Sequence, residues 1–295
     1  MSITVRAAAK INLHLGVGRV REDGFHPLDT VYQAVSLYDD VTVSQGTEES
    51  VSVSGSSSID VRDVPTDTSN IAMRALAEVP CSSRHVVRID KAIPVAGGMA
   101  GGSADAAAAL LAHDRLHGLA QPDAVLLEQA ARLGSDVPFS LVGGTARGRG
   151  RGEVVEPIAD EGAWWWVVVP SGVGLSTPDV YRHFDRLFPD APPQPDEPTE
   201  LLAALASREP LRLARALHND LQEPAVDLRP ELGVLIALGE VEGALRGLVS
   251  GSGPTVVFLC ESADGARATA AGLAGAGHDV VLTATGPVAG AHVVS

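Results

Sequence analysis

The residues that could do chemistry in this chain begin with Pro94-Val95-Ala96-Gly97-Gly98-Met99-Ala100-Gly101-Gly102-Ser103-Ala104-Asp105, followed by the alanine run 106–109. Four glycines in six positions let backbone N–H groups turn toward one point. Val86-Val-Arg-Ile89 before the loop has strand character. Ser103 after it is placed to cap a helix that runs to Leu116 and stops at Gly118. Strand, glycine loop and helix N-terminus together make a place for an anion, because orphan N–H groups and the helix dipole both favour negative charge there. A flexible glycine turn is the plainer reading of the same residues. No Lys precedes Ser103, so the loop is not a Walker A sequence, and the spacing is not that of a dinucleotide fingerprint.

Three other places carry groups suited to phosphate or base chemistry. Lys10 and Asn12 share one face of an alternating segment, residues 3–17, opposite Val5, Ala7, Ala9, Ile11, Leu13 and Leu15. On a half-buried strand they would stand side by side on the open face, either as a cationic site or as solvated polar residues. Asp136, in Ser135-Asp136-Val137-Pro138-Phe139, is either the N-cap of a short helix or a carboxylate that orients an attacking hydroxyl. Phe25 and His26, adjacent in a Gly-Phe-His-Pro turn, could stack on a base and bond its edge, or form an apolar plug with a structural His.

The elements that must position these groups alternate between strand and helix patterns. Strands are expected within 28–54, and a polar, turn-rich loop over 56–70. Helices are expected over 71–79, 122–133, 211–221, 230–239 and 263–273, with a last strand over 280–285. Gly143 to Glu153 holds Arg147, Arg149 and Arg151 between glycines and reads as a glycine-bent strand with an arginine facing phosphate, an RNA-binding arginine–glycine segment being the other option. Trp164-Trp-Trp166 and Val167-Val-Val169 lack alternation, as in a strand covered on both faces. Five prolines between Pro189 and Pro198 mark an exposed extended loop. Gly251 and Gly253 set a tight turn ahead of a strand over 256–259.

Bulk properties narrow the classes. The 295 residues suffice for two domains, and 45% hydrophobic with 20% charged residues is the balance of a soluble globular chain. A net charge of −15, from 37 acidic and 22 basic residues, opposes nucleic acid and anionic membrane. An anionic nucleotide must therefore be drawn in by a local feature. Two distant cysteines, Cys81 and Cys260, suit a reducing compartment, and no signal or membrane-spanning stretch is evident, so a cytoplasmic location is expected.

The glycine loop resembles the P-x-x-x-G-L-G-S-S-A phosphate loop of the GHMP kinase superfamily. Met99 and Ala100 stand here for Leu-Gly, and Ala104 for the second Ser. Ala9-Lys10-Ile11-Asn12-Leu13 is similar to the first superfamily motif, and Gly251-Ser252-Gly253 to the third. Gly24-Phe25-His26 and Ser135 to Phe139 resemble segments of the 4-diphosphocytidyl-2-C-methyl-D-erythritol kinase family in particular, where the first has Tyr in place of Phe25. The resemblance covers most of the chain and implies a two-domain α+β fold. A ribosomal protein S5 domain 2-like N-terminal ATP-binding domain (1–156) would precede a ferredoxin-like C-terminal domain (157–295), with the site in the cleft between. It implies ATP as phosphoryl donor with Mg²⁺, and the 2-hydroxyl of a cytidylated sugar alcohol as acceptor in non-mevalonate isoprenoid biosynthesis. Lys10 and Asp136 would be catalytic, Pro94 to Ala104 would hold ATP, and Asn12, Phe25, His26, Thr177, Gly251, Ser252 and Gly253 would face the acceptor. A homoserine- or mevalonate-type kinase, which has no use for Phe25 and His26, and a non-catalytic nucleotide-binding regulator are the alternatives.

Overall fold

The computed structural model describes residues 1–56, 59–79, 81–95, 97–171 and 173–295. The first half contains β1 (Ser2–Val17), β2 (Leu28–Gly46), β3 (Ser50–Gly55), α1 (Ile71–Ala77), β4 (Arg84–Lys91), α2 (Gly101–Leu116), α3 (Asp123–Leu133), α4 (Val137–Val142), β5 (Thr145–Gly150) and β6 (Val154–Pro157). The second contains β7 (Trp164–Val169), α5 (Thr177–Leu187), α6 (Thr199–Ser207), α7 (Pro210–Ala216), β8 (His218–Asn219), α8 (Gln222–Leu228), α9 (Pro230–Val241), β9 (Arg246–Val249), β10 (Val256–Cys260), α10 (Ala263–Gly275), β11 (Leu282–Gly286) and β12 (His292–Val293). The strands form two sheets. One runs β12-β1-β2-β4-β3, with β5 also on β2; the other is antiparallel in the order β11-β7-β10-β9.

Side-chain alternation explains how the sheets stack. Trp164, Trp166 and Val168 of β7 and Val257 and Leu259 of β10 join the larger core, which also holds the apolar faces of β1, β2, β4 and α2. Val167 and Val169, with Val256 and Phe258, face a second core shared with α5 and α9. The central strands of the second sheet are thus buried on both faces, as the unbroken apolar run predicts. Trp166 Nε1 donates to Gln33 Oε1 of β2 at 2.9 Å, stitching the two sheets together.

The structure corrects several expectations. β1 is covered on both faces: Lys10, Asn12 and His14 are all buried. The helix expected over 211–221 ends at Ala216, because His218 and Asn219 pair in parallel with His14 and Leu15 of β1. Ser103 does not cap α2. The cap position is Ala100, in left-handed backbone (φ 58°, ψ 33°), with no side-chain hydrogen bond. Arg147 is tied to Asp29 and Glu197, and Arg149 to Glu156, so among the three arginines Arg151 is the one that lines the main cavity.

A buried ionic cluster joins β2, β4 and α2. Lys91 Nζ, at the end of β4, lies 2.6 Å from Asp39 Oδ2 and 2.7 Å from Asp105 Oδ2. Asp39 Oδ1 accepts the backbone N–H groups of Ala92 (2.7 Å) and Ile93 (2.9 Å), which open the glycine loop. All three ionic side chains are buried. Burial pushes the Asp105 carboxyl well above the usual carboxylate range. Burial also pulls on the Lys91 ammonium, but Asp105 and Asp39 more than offset it and hold its pKa above the ordinary value. Removing the cation would leave two carboxyl groups without their counter-charge. Lys91→Met is therefore expected to destabilise the chain by about 3–5 kcal/mol, the usual cost of breaking a buried ion pair. Urea denaturation checks this; a loss below about 1 kcal/mol would mean that the cluster is not ionic in the folded state.

Candidate active site

The loop between β4 and α2 does not stand alone, because the turn between β9 and β10 holds it from the other side. Ser250 Oγ donates to the Gly98 carbonyl at 3.2 Å. A Cβ on Gly98, whose φ is +77°, would come within 2.5 Å of the Ser250 carbonyl oxygen; one on Gly97 would come within 2.5 Å of Thr255 Oγ1. The two segments are thus close enough that only glycine fits at 97 and 98 without displacement. Asn219 fixes the turn from beneath, donating through Nδ2 to the carbonyls of Val249 and Gly251, both at 2.8 Å. The departures from the loop pattern have local accounts. Met99 and Ala104 are wholly buried in the larger core. Ala100 carries a side chain in a backbone region where glycine is unstrained.

Lys10 meets this loop from β1. Its backbone N–H donates to the Met99 carbonyl at 3.1 Å, and its Nζ donates to Asn12 Oδ1 at 2.7 Å. Asn12 Nδ2 in turn donates to Thr30 Oγ1 at 2.8 Å, and Thr30 to the His14 carbonyl at 2.6 Å. Register shifts between Ala8 and Ala9, and between Asn12 and His14, bracket the Lys10–Asn12 segment and aim these side chains. Lys10 Nζ is 3.8 Å from Asp136 Oδ2 and 5.4 Å from the centre of the Tyr32 ring. Asp136 occupies the cap position of α4, yet its side chain makes no capping bond. The carboxylate faces Lys10 and Tyr32 instead. Burial, then the charge of Asp136, raises the Tyr32 phenol well above its ordinary pKa, which keeps it neutral as a donor beside the carboxylate.

These groups open onto a cavity of about 630 Å³. Its walls include Lys10, Asn12, Asp136, Thr177, Gly251 and Ser252, together with Pro94, Val95, Gly97, Gly98 and Ala100 to Gly102. Thr177 and Ser252 are joined through their hydroxyls at 2.7 Å. Ala96 lies outside the described residues. Met99, Ser103, Ala104 and Gly253 are not on the cavity wall, and neither are Phe25 and His26. Phe25 is 49% exposed, with the Arg151 guanidinium 4.9 Å from its ring centre. His26 turns inward: its Nε2 is 2.9 Å from Asp185 Oδ1, and its ring packs at 4.8 Å on Tyr181 of α5. Tyr181 and Arg151 both reach the cavity wall.

Sequence reasoning missed Tyr32, Lys91, Tyr181 and the 63–71 wall of the cavity. For Lys91 a signal existed, a lysine in period-two register with Val87 and Ile89 on one face of the strand. For Tyr181 there was none, because an aromatic on an amphipathic helix is ordinary.

The comparisons with known proteins agree with this geometry. The GHMP kinases N terminal domain model matches residues 70–144, and the GHMP kinases C terminal model residues 201–279. The chain is 65% identical over 296 residues to the 4-diphosphocytidyl-2-C-methyl-D-erythritol kinase of a Nocardioides species, covering 99% of both chains. It is 52% identical over 303 residues to the kinase of the same name from Thermobifida fusca, covering 99% of this chain and 98% of that one. The chain belongs to this kinase family. A crystal structure of 4-(cytidine 5'-diphospho)-2C-methyl-D-erythritol kinase superposes with a TM-score of 0.78 at 32% identity, over 97% of this chain and 98% of that one. The two-domain α+β GHMP kinase fold is therefore that of the family. No helix among the described residues is long and apolar enough to cross a membrane.

For a member of this family the fit of the loop against the β9–β10 turn is the testable element. Gly98→Ala should weaken ATP binding by at least about tenfold, as about 1.4 kcal/mol of strain would, while leaving the circular dichroism spectrum unchanged. Calorimetry that finds unaltered ATP affinity in the folded variant would mean that the loop does not bind the nucleotide.

Proposed function

We propose that this chain transfers the γ-phosphoryl group of ATP to the 2-hydroxyl of 4-diphosphocytidyl-2-C-methyl-D-erythritol, a step of non-mevalonate isoprenoid precursor biosynthesis. The observation that carries the mechanism is the meeting of Lys10 and Asp136 at 3.8 Å, on a cavity wall shared with the start of α2. Phosphoryl transfer asks for in-line placement and stabilisation of spreading negative charge more than for covalent chemistry. The loop from Pro94 to Ala104 would hold the ATP phosphates through backbone N–H groups and the helix N-terminus. Lys10, oriented by Asn12, would stabilise the transferred charge. Asp136 would align the acceptor hydroxyl and take its proton.

Magnesium accompanies nucleotide phosphates and takes oxygen ligands. The second turn of α2 offers Asp105 Oδ1 on the cavity wall, a buried oxygen without a hydrogen-bond partner, and this fits a hard cation. Bound there, Mg²⁺ would neutralise charge on the β- and γ-phosphate oxygens.

On the acceptor side, Phe25 offers an exposed ring, Tyr181 a ring on the cavity wall, and His26 a buried anchor between α5 and the 24–27 turn. The hydroxyl pair Thr177–Ser252 and Gly251 line the same cavity as Tyr181. A homoserine- or mevalonate-type acceptor would leave these rings without a role.

Two outcomes test the assignment. Asp136→Asn should lower kcat by roughly 10²–10⁴ with little change in the KM for ATP, as expected for a lost acid–base group; turnover near the wild-type rate would leave Asp136 without the proposed role. Phe25→Ala should raise the acceptor KM by about 5- to 150-fold, since a base–aromatic stack is worth roughly 1–3 kcal/mol, and should leave the KM for ATP fixed. Methylerythritol phosphate, which lacks the cytidylyl group, serves as control acceptor: efficient phosphorylation of it by the wild type would put the acceptor pocket elsewhere.

A further inference from the structure

At the end of β4 and α2 remote from the cavity, four side chains converge that the phosphoryl-transfer reading does not use. They are Cys81, His85, His113 and His117, and one ligand atom from each lies within 4.8 Å of all the others. His85 and His117 approach through their Nε2 atoms at 2.8 Å, and Cys81 Sγ is 3.8 Å from His117 Nε2. Tetrahedral zinc, with Zn–N near 2.0–2.1 Å and Zn–S near 2.3 Å, places its ligand atoms roughly 3.3–3.6 Å apart. The cluster therefore brackets the required spacing, and small side-chain rotations would meet it.

His113 makes the case independent of proximity. It is 1% exposed, and neither ring nitrogen has a hydrogen-bond partner. A buried imidazole left wholly unpaired is costly. Burial, then the neighbouring rings of His85 and His117, bring its pKa down to about 4; burial and His117 lower that of His85 as well. Both shifts favour the neutral imidazole, the form that ligates a metal. One thiolate and three imidazoles suit Zn²⁺ and not Mg²⁺ or Ca²⁺.

We propose that Cys81, His85, His113 and His117 form a structural Zn²⁺ site that staples β4 to α2 behind the phosphate loop. Four protein ligands close the coordination sphere, which is the arrangement of structural and not catalytic zinc. The placement gives the staple a purpose. His85 and Lys91 lie on the same buried face of β4, six residues or about 20 Å apart. Asp105 and His117 lie twelve residues or about 18 Å apart along α2. The Lys91–Asp105 pair thus ties the two elements where the loop leaves and enters, and the zinc would tie them at the other end.

The test uses the untagged full-length chain, since an added histidine tag would bind metal itself. Purified from zinc-supplemented medium and desalted, it should hold about one Zn²⁺ per chain by elemental mass spectrometry. Reloaded with Co²⁺ alone as a probe, it should show tetrahedral ligand-field absorption together with a thiolate-to-cobalt charge-transfer band. Cys81→Ser, at an exposed position, should abolish that band and weaken Zn²⁺ affinity at least tenfold. Cys81→Ser/His117→Ala should purify without zinc while still binding ATP. A chelator should lower the Tm of the wild type and leave that of the double variant unmoved. A wild type that binds no zinc or gives an octahedral cobalt spectrum would overturn the site. So would a double variant that retains wild-type zinc, and a chelator-insensitive wild-type Tm would overturn the staple.

Discussion

The placement of the glycine loop and of the start of α2 depends on the ion cluster of Lys91, Asp39 and Asp105. One buried ammonium is shared between two buried carboxyl groups. Such a cluster is no bargain in stability compared with a packed apolar triplet. What it provides is direction. Asp39 spends its second oxygen on the N–H groups of Ala92 and Ile93, so the chain must leave β4 at one angle. Asp105 fixes the first turns of α2 to the same lysine. A glycine-rich loop has large conformational freedom to lose, and anchoring it at both ends removes much of that freedom before any phosphate arrives.

The second restraint comes from the other sheet. The turn from Ser250 to Thr255 packs so close to Gly97 and Gly98 that a single Cβ on either glycine would collide with it. Lys10 reaches the same loop through its own backbone. Its ammonium is buried, and burial makes each of its electrostatic contacts stronger than the same contact in water. In a chain of net charge −15 the long-range field repels a nucleotide. Attraction must therefore be generated locally, by the helix start, the turned N–H groups and Lys10, where nearby acids are already engaged with partners such as Lys91 and Arg147.

Much of this was legible in the sequence, and the limits have physical reasons. The strand–glycine loop–helix order, the pairing of Lys10 with Asn12 on one strand and the place of Asp136 at the start of a short helix were readable because glycine clusters, strand alternation and helix starts leave local marks. The covering of β1 on both faces was not readable, because the cover comes from residues two hundred positions away: the His218 ring lies 5.4 Å from that of His14, and a Cβ on Gly251 would stand 3.5 Å from Lys10 Nζ and Asn12 Oδ1. For the same reason the helix pattern over 211–221 overran into His218 and Asn219, where tertiary pairing overrode local periodicity. Ser103 looked like a cap because serine usually is one. In the structure α2 begins three residues earlier, and its exposed N–H groups stay open at the phosphate end instead of being satisfied by a side chain.

The paired spacings Cys81-x-x-x-His85 and His113-x-x-x-His117 are present in the sequence too, although two distant cysteines by themselves mark no metal site. A four-residue spacing brings two side chains to one face of a helix, and His113 and His117 use it that way. It does not do so simply on a strand, where Cys81 precedes β4 and only its approach along the chain brings it back to His85. The sequence therefore shows half of the cluster, and the pairing of β4 with α2 supplies the other half. Val87 and Ile89 of β4 share the larger apolar core with α2, and the polar groups that link the two elements stand at its ends, one at the glycine loop and one far from it. Apolar contacts alone would let a strand and helix slide by fractions of a turn at small cost. Two directional anchors about 20 Å apart, the ion cluster and the proposed zinc, would fix the register, and with it the position of the glycine loop that we propose meets the ATP phosphates.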